Sequence, residues 1–165
     1  MSPSRWTASN LPDQHGRTAI VTGANSGIGR MAALELARAG AAVTLAVRDT
    51  TKGKAAASGM TGDVTVRSLD LADLGSVRSF ADAIDGPINL LVNNAGVMAT
   101  PEQRTVDGFE MQIGTNHLGH FALTNLLFPR ITDRVVVVSS DLHRNGRIDL
   151  DDLNWQRRPP YAIAV

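Results

Sequence analysis

Residues 18 to 40 constrain the fold most. Thr18 to Thr22 is a short apolar and β-branched run that reads as a strand. It leads into the glycine-rich stretch "TGANSGIG", Thr22 to Gly29. Ile28 to Ala39 follows, rich in the helix formers Ala, Leu, Arg and Glu, and Gly40 stands where a helix usually stops. The same order then recurs. Ala42 to Val47 reads as a second strand, Thr51 to Ser58 as a short helix closed by Gly59, and Val64 to Leu69 as a third strand. Val77, Phe80, Ala81 and Ile84 fall at i, i+3, i+4 and i+7, one face of a helix, and Ile88 to Val92 is a fully apolar fourth strand. From Asp107 to about Phe128 runs the longest helical pattern, opened by Asp107 and Glu110 at capping-box spacing and stopped at Pro129. "RVVVVSS", Arg134 to Ser140, closes the series as strand five. Short apolar strands alternating with helices imply an α/β fold, a parallel sheet covered by helices on both faces.

Composition excludes several other classes. The chain has 165 residues, 43% hydrophobic and 19% charged, enough for one domain with its own core. Sixteen basic residues balance sixteen acidic ones, so no net field draws the chain to nucleic acid or an anionic membrane. The absence of cysteine removes disulfides and thiolate metal sites and fits a reducing compartment. Met1 to Gly16 is polar, carries Pro3, Pro12 and Asp13, and lacks the apolar stretch of a signal peptide. No run approaches the roughly 18 apolar residues of a membrane span. The expectation is a cytoplasmic protein with no membrane span and no nucleic-acid partner.

The turn "TGANSGIG" carries the strongest chemical signal. Gly23 allows the sharp bend, Gly27 lets the backbone approach a ligand, and Gly29 permits tight helix-on-strand packing. The helix that opens there aims free N–H groups and the positive end of its dipole at a pyrophosphate. It is not an ATPase-type phosphate loop, because Arg30 and Met31 stand where Lys and Ser or Thr are required.

Four motifs in order, "TGANSGIG", "NNAGVM" (Asn93 to Met98), "TNHLGHF" (Thr115 to Phe121) and "RVVVVSS", resemble the short-chain dehydrogenase/reductase family. "NLPDQHGRTAIVTGANSGIG" and "GRIDLDDLNW" resemble its retinol-dehydrogenase-like subgroup. The resemblance implies a Rossmann-type doubly wound sheet of strand order 3-2-1-4-5, incomplete at its C-terminal side. It also implies an NAD(P) cofactor and hydride exchange between nicotinamide and an alcohol or carbonyl. It assigns Gly23, Asn25, Ser26, Gly27, Ile28 and Gly29 to the cofactor phosphates. Asp70 and Leu71 go to the adenine, and Asn94, Ala95 and Gly96 to the nicotinamide-side ribose. A turn role for "NNAG" and an N-cap role for Asp70 are the structural alternatives. At the end of strand two stands Arg48, suited to a 2′-phosphate, with Asp49 one step later, so NADP is expected over NAD.

For catalysis the resemblance assigns Ser140 to steady the substrate oxygen and Asn116 as a second family position. The family's proton donor is a tyrosine sharpened by a lysine one helical turn on, as Tyr-x-x-x-Lys. That pair is absent. Tyr161 is the only tyrosine, Val165 stands four residues after it, and the only lysines are Lys52 and Lys54. The expectation is therefore a truncated or frame-shifted oxidoreductase, inactive or impaired. Its parts are an N-terminal extension over 1–16, a dinucleotide-binding domain over 17–140 and an irregular tail over 141–165. An alternative is a catalytically silent nucleotide-binding fragment or the partner of a related subunit. A methyl-transferring Rossmann enzyme fits the glycine turn but leaves "NNAG" and "VVVVSS" unexplained.

Two patterns imitate metal sites. "DLHRNGRIDLDD", Asp141 to Asp152, matches part of a calcium loop, but His143 occupies an oxygen-ligand position. His117 and His120 lie at i, i+3 without a third ligand, so they read as packing or surface, and no metal is expected. The strand "VVVV" is expected to form an unpaired sheet edge. Phe121, Leu123, Leu127 and Phe128 are expected to lose cover, which favours self-association.

Overall fold

The computed structural model describes residues 6–157. Five parallel strands form one sheet in the order β3-β2-β1-β4-β5: β1 Thr18–Thr22, β2 Ala42–Val47, β3 Val64–Ser68, β4 Ile88–Asn93 and β5 Ile131–Val137. Helices α1 (Gly27–Arg38), α2 (Thr50–Ala57) and α3 (Leu74–Asp82) make the crossovers. This is the doubly wound arrangement expected from the sequence. Strand order reverses between β1 and β4, the point where such sheets open a crevice beyond their C-terminal ends.

Side-chain alternation divides the core. Val21, Val43, Leu45 and Val92 point to one face and pack with Ala33, Leu36 and Ala37 of α1. Ile20, Ala46 and Leu91 point to the other and pack with Val77 and Phe80 of α3 and with Leu123 and Leu127. Each fully buried aliphatic side chain of this kind contributes about 1.5–3 kcal/mol.

The long helix departs from expectation. It starts at Met111 and comes in three pieces, α4 (Met111–Ile113), a π-helical segment Gly114–Gly119, and α5 (His120–Leu127). Glu110 caps it, both carboxylate oxygens accepting N–H bonds at 2.8 Å from Gln112 and Ile113. Asp107 is not the cap. Its Oδ2 accepts from the Leu74 N–H at 2.8 Å, beside Asp73, which accepts from Gly75 and Ser76, so two carboxylates serve the start of α3. The π segment is closely packed at both ends. A Cβ on Gly119 would lie 2.3 Å from the Leu71 carbonyl oxygen and one on Gly114 2.3 Å from Thr105 Cγ2, so both ends press where only glycine fits.

Two further expectations are corrected. Strand five begins at Ile131 and ends at Val137, leaving Ser139 and Ser140 beyond it. Leu123 and Leu127 are fully covered by the α3 side of the core, whereas Phe121 (61%) and Phe128 (68%) are exposed. Among the described residues no strand pairs with the outer edge of β5, where Val136, Val137 and Val138 are exposed. No helix among the described residues is long and apolar enough to cross a membrane.

Candidate functional site

The glycine turn after β1 is shaped by what lies against it. Gly23 has φ +66°, and a Cβ there would meet Ala95 Cα at 2.9 Å. A Cβ on Gly29 would sit 2.3 Å from Asn94 Nδ2 and 2.9 Å from the Gly23 carbonyl oxygen. Gly27, at φ +55°, faces open space. The first two glycines bring the turn onto the "NNAG" segment, and the third leaves the start of α1 free for a ligand to approach.

Two clefts open at this end of the sheet, sharing Asn94, Ala95, Gly96 and Val97 as a common wall. The first, of ≈ 300 Å³, is lined by Gly23, Asn25, Ser26, Arg48, Asp70 and Leu71 among others. The second, of ≈ 530 Å³, is lined by Asn116, Ser139 and Ser140 on one side and by Ile148, Leu153 and Trp155 of the following chain on another. Of the sequence-assigned residues, Gly23, Asn25, Ser26, Arg48, Asp70 and Leu71 line the first cleft, Asn116 and Ser140 line the second, and Asn94, Ala95 and Gly96 line both. Gly27, Ile28 and Gly29 line neither cleft: Gly27 faces open space, Ile28 is 72% exposed on the first turn of α1 and Gly29 is buried under Asn94.

At the far end of the first cleft, the two residues after β2 have separate tasks. Asp49 caps α2, its Oδ1 accepting from Thr51 and Lys52 N–H groups at 3.0 Å each. The Lys52 N–H bond holds the Asp49 carboxyl below the usual carboxylate range. Arg48 is exposed and lines the cleft. Asp70 does not cap α3, since Asp73 does; its Oδ1 accepts from the Ala72 N–H at 2.9 Å in a local turn beside the cleft.

The common wall is clasped at both ends. Thr22, fully buried, accepts from the Asn94 and Ala95 N–H groups at 2.9 Å each through its hydroxyl oxygen, and its carbonyl accepts from Asn94 Nδ2 at 2.9 Å. At the other end Asn116, in the π segment, accepts from the Val97 N–H and donates to the Val97 carbonyl, both at 2.8 Å. Ser140 starts a 3₁₀ turn over Asp141–Asn145, its Oγ accepting from the Leu142 N–H at 3.2 Å.

Sequence reasoning missed Thr22, Lys52, Val97 and Thr115 as site residues, and it read His120 as packing or surface. His120 is buried, with Nε2 2.9 Å from Thr22 Oγ1 and Nδ1 2.9 Å from the Asn116 carbonyl oxygen. Burial pushes its pKa below the usual histidine value. The only available signal was its place in "TNHLGHF", one residue past Gly119. No group of three or more potential metal ligands occurs among the described residues, including the calcium-like stretch. Tyr161 lies outside the described residues.

Comparison with known proteins agrees with this geometry. A family model described as short chain dehydrogenase matches residues 17–150. Retinol dehydrogenase 13 of Homo sapiens is 52% identical over 155 residues, covering 87% of this chain and 47% of that protein. Retinol dehydrogenase 12 of Mus musculus is 48% identical over 161 residues, covering 90% and 51% respectively. The chain therefore spans about half the length of the curated relatives it matches. A crystal structure of an uncharacterized protein from Mycobacterium Paratuberculosis superposes with a TM-score of 0.91 at 64% identity, covering 94% of this chain and 57% of that one. The NADP active-site complex of RhlG from Pseudomonas aeruginosa superposes at 0.67 with 30% identity, covering 78% and 54%. With its glycine turn, its reversal between β1 and β4 and these matches, the chain belongs to the short-chain dehydrogenase/reductase family and is retinol-dehydrogenase-like.

Proposed function

We propose that residues 17–140 form the dinucleotide-binding part of an NADP-dependent oxidoreductase acting on a lipophilic alcohol or its carbonyl partner. The observation that carries this reading is the pair of clefts divided by Asn94–Val97, with Arg48 at the end of one and Asn116, Ser139 and Ser140 in the other. Arg48 favours NADP because its guanidinium is free to meet a 2′-phosphate, while the carboxylate of Asp49, which would otherwise suit a ribose 2′-OH, is turned into the cap of α2. Gly23, Asn25, Ser26, Gly27, Ile28 and Gly29 would hold the phosphates, Asp70 and Leu71 the adenine, and Asn94, Ala95 and Gly96 the inner ribose. The names of the retinol dehydrogenase relatives, and the apolar lining from Ile148, Leu153 and Trp155, support a lipophilic substrate.

When bound, the nicotinamide would supply or accept the hydride. Ser140 would hold the substrate oxygen by a hydrogen bond, and Asn116 would keep the inner wall in place through Val97. The proton for that oxygen has no source among these assigned residues, because Tyr-x-x-x-Lys does not occur in residues 1–165. Residues 1–165 by themselves are therefore expected to bind the cofactor without turning over. Self-association through the β5 edge, and a cytoplasmic location, belong to the same proposal; sedimentation and cell fractionation test them.

The deciding experiment is a fluorescence titration with NADPH and NADH, followed by a hydride-transfer assay on several aldehydes and ketones. NADPH should bind more tightly than NADH, and Arg48→Glu should weaken NADPH alone by about tenfold to a hundredfold, the worth of one or two charge-assisted hydrogen bonds. Failure to bind either dinucleotide would overturn the reading. Turnover by residues 1–165 at rates typical of enzymes would overturn the account of the missing proton donor.

A further inference from the structure

The Thr22 hydroxyl has more neighbours than it has hydrogen-bonding capacity to serve them freely, and the surplus fixes the state of His120. Its oxygen lies 2.9 Å from the Asn94 and Ala95 nitrogens, 2.9 Å from His120 Nε2 and 3.4 Å from the Val92 carbonyl oxygen. Both backbone N–H groups must donate, which uses both hydroxyl lone pairs. Only the hydroxyl proton remains. A hydrogen on His120 Nε2 would face an oxygen with nothing left to accept it, so Nε2 must be bare and take the Thr22 proton. The ring hydrogen then sits on Nδ1, where the Asn116 carbonyl oxygen, 2.9 Å away, accepts it.

We propose that His120, held as the neutral Nδ1–H tautomer, is a positioning residue that couples the two clasps of the Asn94–Val97 wall. One ring nitrogen fixes the Thr22 hydroxyl so that its lone pairs meet the Asn94 and Ala95 amides. The other fixes the backbone of the π segment at Asn116, whose side-chain amide grips Val97 on both its N–H and its carbonyl. The wall is thereby held at its two ends by groups that share a single imidazole. A histidine side chain in water prefers the hydrogen on Nε2, so the Nδ1–H tautomer is a specific mark of this arrangement. The coupling follows from hydrogen bonds within this chain; that the wall lines a dinucleotide site rests on the proposed function above.

Long-range ¹⁵N–¹H NMR of the histidine-labelled 165-residue chain tests it directly. His120 should show the Nδ1–H pattern near neutral pH; an Nε2–H pattern, or averaging between the two, overturns the proposal. Amide hydrogen exchange gives a second, independent reading. His120→Leu, which loses both contacts, should speed exchange at Asn94, Ala95 and Val97 by about tenfold, the loss of roughly one hydrogen bond's worth of protection. His120→Gln, whose Oε1 can still accept from Thr22, should restore protection at Asn94 and Ala95. Unchanged exchange in His120→Leu would overturn the coupling. If that variant does not fold, the tautomer of the native chain and the His120→Gln exchange pattern decide. Absence of NADPH binding to the native chain would count against the dinucleotide reading while leaving the tautomer result to judge this one.

Discussion

Gly29 sets two effects against each other. Alanine in a helix is favoured over glycine by about 1 kcal/mol. At Gly29, however, the added carbon would stand 2.3 Å from Asn94 Nδ2 and 2.9 Å from the Gly23 carbonyl oxygen. The first is anchored by its bond to the Thr22 carbonyl and the second is backbone, so neither moves cheaply. Overpacking of this kind costs about 1–3 kcal/mol and should win. Gly29→Ala is expected to lower the urea midpoint, and a stabilised variant would show that the turn yields. His120 governs a pH dependence at the same scale. Its folded-state pKa is depressed by burial, so below about pH 6.5 the unfolded chain binds the proton more readily. The stability it contributes is present above that value and is lost as pH falls towards the folded-state pKa. Nearby, His117 opposes its protonation, whereas Glu110, Asp149 and Asp152 bring negative charge to the second cleft, with Arg147 opposite in sign. The Asp13, Asp49 and Asp133 carboxyls, held below their usual range by hydrogen bonds from His15, Lys52 and Arg17 respectively, stay ionised throughout. Urea midpoints should therefore fall between pH 7.5 and 5.5, and His120→Gln should flatten that slope. Neither effect was legible in the sequence for His120, since its meaning depends on Thr22 and Asn116, ninety-odd residues and one helical turn away.

At the scale of elements, caps decided where sequence reading succeeded. Strands β1 and β2 were legible to the residue because their apolar runs are bounded by turn signals on both sides. The start of the long helix was not, because Asp107 and Glu110 fit a capping box by spacing while Asp107 in fact reaches across to Leu74. Spacing reports what could bond locally and says nothing of a long-range competitor. The π segment was equally hidden, since no period in the chain marks it and the close packing of Gly119 on the Leu71 carbonyl and of Gly114 on Thr105 comes from outside the helix. Asp73→Ala removes the acceptor for two N–H groups of α3 and should cost about 1 kcal/mol in urea unfolding. A change well below that would mean that Asp107 alone suffices for the start of this helix.

For the whole molecule, the asymmetry between the two sheet edges matters most. β3 ends the sheet on one side with alternating polar residues, Thr65, Arg67 and Ser68, exposed. β5 ends it on the other with Val136, Val137 and Val138 exposed, and Phe121 and Phe128 lie exposed on and just after α5. An open valine edge templates pairing with another chain. Sedimentation of the 165-residue chain should show concentration-dependent association, and Val137→Lys, which places a charge on that edge, should shift the population towards the monomer. A chain that is monomeric throughout the micromolar range would contradict this.

The wall between the two clefts is one strip of backbone with a face in each room. A molecule settling against it in one room presses on the other, so filling either cleft should alter the affinity of its neighbour.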